Sequence, residues 1–155
     1  MADTLYEDQK PRFATIPNNS VATFTNASSI DSPYIYANQQ VVWTAGDNGG
    51  VLISVGITSD DTVNRNIYLG LRDPANAMFF HILTVVATLG AGTNGTTNTI
   101  DGLGITIAAF LESLANAKKG GVFEAGQQLI AGIPVVPSSG KKLQVFAFGK
   151  DFPDQ

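Results

Sequence analysis

Residues 40–58 have the sequence QVVWTAGDNGGVLISVGIT, and this stretch decides the fold class. Segment 40–44 is a short run of β-branched and aromatic residues that stops at the Gly-, Asn- and Asp-rich segment 45–50. A second apolar run, 51–58, begins at once. Two such runs around a Gly/Asn turn predict two antiparallel strands, joined by a hairpin or by a corner between sheets.

Short apolar runs separated by turn residues recur along the rest of the chain. Further strands are predicted at 21–25, 34–36, 64–71, 79–89 and 143–148, and segment 122–133 predicts a turn that leads into a strand. Many short strands at roughly 8–12-residue spacing are typical of an antiparallel sandwich. We therefore predict an all-β, antiparallel β-sandwich that is jelly-roll-like. Segments 51–58 and 143–148 are expected to be core strands, and the expected core aromatics are Trp43, Phe80, Phe146 and Phe148.

Two segments depart from this pattern. Residues 1–19 contain Pro11 and Pro17 and few apolar residues, and they predict an extended N-terminal arm before a single domain at 20–155. Segment 105–119 fits a short helix that ends at two lysines followed by two glycines, and it fits a strand equally well. The sequence leaves this choice open.

The composition argues against several classes of protein. The chain has one His, no Cys and 14% charged residues, and its formal net charge is −4. Its nine Lys and Arg form no basic patch, so we expect no nucleic-acid partner. The acidic N-terminus is unlike a signal peptide, and no apolar run reaches the length of a membrane helix. We expect a protein made in the cytoplasm that has no membrane partner.

Three candidate sites are better explained by structure than by chemistry. His81 has no recognisable nucleophile or orienting partner and is expected to be structural or at an interface. Asp60 and Asp61 are adjacent, which suits a turn better than a calcium loop. Segment 90–95 has Gly-x-Gly-x-x-Gly spacing but precedes a poor helix start, so it predicts a polar surface loop. We expect no catalytic residue, no metal and no cofactor, hence no enzyme.

Four stretches resemble small structural proteins of tailed bacteriophages. They are WTAGDNGGVLI at 43–53, ITSDDTVNRNIYL at 57–69, GAGTNGTT at 90–97 and GKKLQVFAFGKDF at 140–152. The resemblance implies a β-sandwich that is part of a virion, and specifically a capsid decoration (cement) protein on the capsid exterior. It implies two partners, the major capsid protein and further copies of the chain in a homotrimer.

The arm and the glycine-rich loop are the predicted partner-binding segments. The candidate residues are Leu5, Tyr6, Phe13 and Ile16 in the arm, and Thr93, Asn94 and Thr96 in the loop. Two alternatives stay open. One is a tail, neck or fibre-base component or a receptor-binding jelly-roll domain. The other is a carbohydrate-binding or hydrolytic module, for which Glu112 and Glu124 are the available carboxylates.

Overall fold

The structure, a computed structural model, describes residues 14–28, 39–75, 78–102 and 121–154. Within these ranges all regular secondary structure is β. The strands are β1 (Ile16–Thr25), β2 (Gln40–Thr44), β3 (Gly50–Ser59), β4 (Arg65–Asp73), β5 (Met78–Ala87), β6 (Ile100–Asp101), β7 (Gly121–Phe123), β8 (Gln128–Gly132) and β9 (Lys142–Asp151). The predicted strand at 34–36 and the ambiguous segment 105–119 lie outside the described residues.

The strands form two antiparallel sheets that pack face to face. One sheet has the order β1-β9-β3-β6, and β7 also pairs with β3. The other has the order β2-β8-β4-β5. This arrangement confirms the predicted all-β sandwich, and β3 and β9 are interior strands of their sheet, as expected. The jelly-roll topology stays a prediction.

The longest ladder joins the first and last strands. β1 and β9 pair without interruption from Ile16 opposite Asp151 to Thr25 opposite Lys142. β9 also pairs with β3, where a bulge interrupts the register between Leu52 and Ser54. Because side chains alternate between faces, β9 sends every second residue from Leu143 to Gly149 into the core, whereas β8, which has a neighbour on each side, is buried from Leu129 to Gly132.

The core between the sheets is centred on Trp43. This side chain is 1% exposed, and its ring meets Phe123 edge to face at 5.1 Å. The indole Nε1 donates a hydrogen bond to the backbone oxygen of Asn18 at 2.9 Å. A Cβ on Gly149 would lie 2.8 Å from the indole, so the ring can occupy this place only against a glycine. The prediction of Trp43 as a core aromatic is confirmed.

Side chains connect β1 to β2 at one corner of the sandwich. Asn18 Nδ2 donates to the backbone oxygen of Thr44 at 2.8 Å, and Gln40 Nε2 donates to that of Thr23 at 2.8 Å. The Ser20 hydroxyl also donates to the backbone oxygen of Val42. These bonds satisfy acceptors along two sheet edges that would otherwise face water.

Two predictions about Phe residues are wrong. Phe148 is 45% exposed and Phe146 is half-buried, and both lie on the solvent side of β9. The alternation of the strand assigns Leu143, Val145 and Ala147 to the core instead. The side chain of the remaining predicted core aromatic, Phe80, lies outside the described part.

The boundary of the predicted arm falls inside a strand. β1 begins at Ile16, and Thr15 N already donates to the backbone oxygen of Asp151 at 3.1 Å. Residues 16–19 are therefore paired with β9. Residues 1–13 lie outside the described residues.

Candidate interaction surface

The structure does not bring the predicted binding residues together. Leu5, Tyr6 and Phe13 lie outside the described residues. Ile16 is half-exposed at the end of the sheet where Gly50 of β3 pairs with Asp151. The glycine-rich loop lies at the opposite end of β3, where Ser59 N donates to the backbone oxygen of Ala91.

The loop between β5 and β6 is held by its own side chains. The Asn94 carbonyl oxygen accepts hydrogen bonds from the backbone N–H groups of Thr96 and Thr97 at 2.9 and 2.8 Å. Its amide donates to the Thr97 hydroxyl, and the Thr93 hydroxyl donates to the backbone oxygen of Ser59 at 2.8 Å. Gly90, Gly92 and Gly95 supply the positive φ angles of this turn. The loop leads to β6 rather than to a helix, and the hydrogen bonds of Asn94 and Thr93 order it from within.

The paired aspartates anchor turns. Asp60 Oδ1 accepts a hydrogen bond from the backbone N–H of Lys142. The side chain of Asp61 is fully buried and accepts from Arg65 Nε at 2.7 Å, from Thr62 N at 2.7 Å and from Ser138 N at 3.1 Å. These bonds join the β3–β4 turn to the segment before β9.

The charge of Asp61 is stabilised inside the protein. Burial by itself raises the pKa of this carboxyl group. Hydrogen bonds from the Ser138 side chain, from Arg65 and from the backbone of Ser138 and Thr62 outweigh that effect and hold the pKa well below its ordinary value. The carboxylate is therefore ionised throughout the physiological range and serves the fold.

His81 lies on the exposed side of β5. Its ring meets Tyr68 edge to face at 5.7 Å, and its Nε2 lies 3.4 Å from the Thr84 hydroxyl. Among the described residues, no group of three or more His, Asp or Glu side chains is placed to hold a metal ion. No helix in the described part of the chain is long and apolar enough to cross a membrane.

The most distinctive surface is the solvent-facing side of β1, β9 and β3, which we call the outer face. Val21 of β1 lies directly opposite Phe146 of β9, and Phe148 lies opposite Ser54 of β3. The bulge in β3 leaves Ile53 53% exposed between the buried Leu52 and Val55. The apolar residues of the outer face are Val21, Val51, Ile53, Phe146 and Phe148, and Val122 of the neighbouring β7 lies beside Val51 at its border.

The aromatic centre of this face has a defined geometry. The rings of Phe146 and Phe148 pack edge to face with centroids 5.5 Å apart. The Phe146 ring covers Gly56 so closely that the position has no space for a Cβ. Phe146 is thus seated on the sheet, while Phe148 and Val21 are 45% and 56% exposed. Contiguous exposed apolar groups of this kind mark interaction sites.

Among the described residues, charged side chains lie only at the border of the outer face. Lys150 and Lys142 stand near the two ends of β9, and Asp101 is exposed on the adjacent β6. No Asp or Glu occupies an outward position of β1, β9 or β3. An apolar, aromatic centre with a charged border is the usual anatomy of a protein–protein contact.

A prediction from hydrophobicity alone does not find this surface, but the alternation of polar and apolar residues along β9 indicates it. Lys142, Gln144 and Lys150 stand at even positions, as do Phe146 and Phe148. Successive side chains of a strand point to opposite faces of the sheet. Polar residues at both ends of one alternating set therefore place that whole set on the solvent side. The two phenylalanines therefore had to face outward.

Comparisons with known proteins add little to this picture. No family model matches the chain, and no curated protein matches it. A solved structure, "Cyanophage Pam1 capsid asymmetric unit", is similar over 97% of this chain and 99% of its own, with 15% identity and a TM-score of 0.39. That score is too low to establish a common fold, and the likeness assigns no function.

Proposed function

We propose that the chain is a structural protein of a bacteriophage virion, and specifically a capsid decoration (cement) protein. The observation that carries the proposal is the outer face, an aromatic surface with no charged residue at its centre, on an otherwise acidic β-sandwich. The sequence resemblance of segments 43–53, 57–69, 90–97 and 140–152 to small phage structural proteins supplies the context. The protein would attach to the capsid exterior and bridge neighbouring subunits of the major capsid protein.

The physics of the surface supports a role in assembly. Three strands about 4.8 Å apart and ten residues long at about 3.3 Å each give the outer face roughly 500 Å². A contact of this size is weak by itself, but many copies on a closed shell act together. The net charge of −4 also disfavours contact with packaged nucleic acid.

The sheet edges favour the same role. β5 is the last strand of its sheet, and no strand in the described ranges pairs with its outer side. Val86 and Leu89, in and just after this strand, are about half exposed. A strand edge that the described part of the chain leaves unpaired is commonly covered by assembly.

We propose that the arm contributes to attachment through Leu5, Tyr6 and Phe13, with Ile16 at its base. Since β1 begins at Ile16, a test of the arm should remove residues 2–13 and leave the ladder to β9 intact. We expect this truncated protein to fold normally and to bind shells less tightly than the full chain does. Equal binding by both proteins would contradict a role for the arm.

The proposed function is tested with empty phage shells and purified full-length protein. Light scattering gives the mass of the protein alone, and co-sedimentation gives its binding to shells. A homotrimer, or another small oligomer, that saturates shells at a fixed ratio supports the decoration role. Absence of shell binding would contradict it, and a ring of six or twelve copies would favour a tail or neck component instead.

For the loop, Thr93, Asn94 and Thr96 stay proposed contact residues. Because Asn94 and Thr93 already bond within the loop or to Ser59, their substitution would disturb loop geometry as well as any contact. Thr96→Ala changes an exposed side chain and is the more informative variant. Loss of shell binding in Thr96→Ala, with unchanged thermal stability, would support a direct contact.

A further inference from the structure

We infer that the outer face is the surface through which copies of this chain contact one another. The inference deepens and rests on the proposed function, since it assigns a specific surface to self-association; because the same face of both copies meets, the contact is two-fold and joins two copies or two oligomers. It also applies to the isolated protein, so it can be tested without a shell. Its centre is formed by Val21, Phe146 and Phe148.

The first argument is charge. Two copies that each carry a net charge of −4 repel one another unless they meet where carboxylates are absent. Among the outward positions of β1, β9 and β3 there is no Asp or Glu, and the carboxylate of Asp101 lies on β6, opposite Gly56, at the border of the face. A second copy can therefore pack on this face without bringing like charges into contact at its centre.

The second argument is shape and chemistry. Sheets pack face to face at about 10 Å through apolar side chains, and this mode is available to two exposed sheet faces as it is to the two sheets inside one sandwich. The Phe146 ring packs directly on Gly56, so it projects less from the sheet than the more exposed Phe148 beside it. Aromatic residues of this kind are enriched at the centres of protein–protein contacts.

The third argument is area. A face of roughly 500 Å² on each copy buries about 1,000 Å² in total, below the standard size of a stable interface. We therefore expect association that depends on protein concentration in free solution. On a shell, neighbouring copies are held close together and the same contact becomes effective.

The test is sedimentation velocity of the full chain over a wide range of protein concentration. The variants are Val21→Asp and Phe148→Asp, each placing a carboxylate in the centre of the outer face. Val63→Asp is the matched control, because Val63 is 45% exposed in the β3–β4 turn, away from this face. We expect each face variant to weaken association by about tenfold or more and the control to leave it unchanged.

A second pair of variants shows whether a loss of association comes from the missing apolar surface or from misfolding. Val21→Thr and Phe148→Thr keep strand propensity and remove apolar surface, and thermal unfolding checks that the sandwich is intact. Association that survives both pairs, or that falls equally in Val63→Asp, would overturn the inference. A wild-type chain that is monomeric at every concentration would overturn it too.

Shell binding separates this inference from the proposed function. A monomeric wild-type protein that still decorates shells would refute the contact between copies and leave the decoration role standing. A wild-type protein that self-associates through Val21 and Phe148 but does not bind shells would support the contact between copies and refute the decoration role.

Discussion

Asp61 offers a direct test of how the sandwich is held together at one end. Its Oδ2 accepts hydrogen bonds from Arg65 Nε and from Ser138 N, and its Oδ1 accepts one from Thr62 N. Replacement by Asn keeps the shape of the side chain but turns one acceptor into a donor. The amide can retain the bond from Thr62, while its NH₂ group faces two donors.

The expected magnitude follows from the two lost bonds. Hydrogen bonds to a charged group contribute about 1.5–3 kcal/mol each, and part of this is offset because Asn avoids burying a charge. We expect Asp61→Asn to lower the free energy of unfolding by about 3 kcal/mol near neutral pH. For a domain of this length that corresponds to a fall of about 6–12 °C in Tm.

The effect should depend on pH in one direction. The folded-state pKa of Asp61 lies below its unfolded value, near 3.9, so the stabilisation is present above that value and is lost as pH falls. The deficit of Asp61→Asn relative to wild type should therefore shrink between about pH 5 and about pH 3.

Urea denaturation at several pH values measures both effects. Asp47→Asn, which changes an exposed carboxylate in the β2–β3 turn, is the control and should stay close to wild type. A deficit below about 1 kcal/mol at neutral pH, or one that is unchanged in acid, would refute the stabilising role of the Asp61 carboxylate.

Three further substitutions test other parts of the fold. Gly149→Ala places a methyl group 2.8 Å from the Trp43 ring and should lower the free energy of unfolding by about 1–3 kcal/mol in urea titrations; wild-type stability would contradict the packing. Trp43→Phe removes the hydrogen bond to the Asn18 oxygen and leaves space beside Phe123. We expect a loss of about 2–4 kcal/mol by the same assay, and no loss would show that the indole contributes little. Asn94→Ala removes the bonds that close the β5–β6 loop, and limited proteolysis should cut that loop faster while Tm falls by only a few degrees; unchanged cleavage would show that the backbone alone orders it.

The sequence predicted those strands whose boundaries are marked by local chemistry. The 40–44 run matches β2 at both ends, because its β-branched residues stop at a glycine-rich turn. β1 was predicted to begin at residue 21 and begins at Ile16. Pro17 obscured that start, yet a proline is tolerated there because β1 is at the edge of its sheet, where the missing N–H can face away from the ladder.

The interaction surface could be predicted only in part. The polar residues that alternate with the core residues of β9 predict that the side chains of Phe146 and Phe148 point outward, whereas hydrophobicity alone assigns both to the core. That Val21 completes the patch depends on the pairing of β1 with β9, which lie at opposite ends of the described chain. No local pattern specifies which distant strands become neighbours, so this part of the surface required the structure.

The position of β9 has a consequence for the order in which the protein can fold during synthesis. β9 lies between β1 and β3 and is the last strand of the described chain to leave the ribosome. Until residues 142–151 emerge, β1 has no neighbour in its own sheet, whereas β4, β5 and β8 can already pair with one another. Long-range pairing of this kind closes slowly, so the nascent chain presents an incomplete sheet for most of its time on the ribosome. The outer face, with Phe146 and Phe148 at its centre, therefore forms only at the final step.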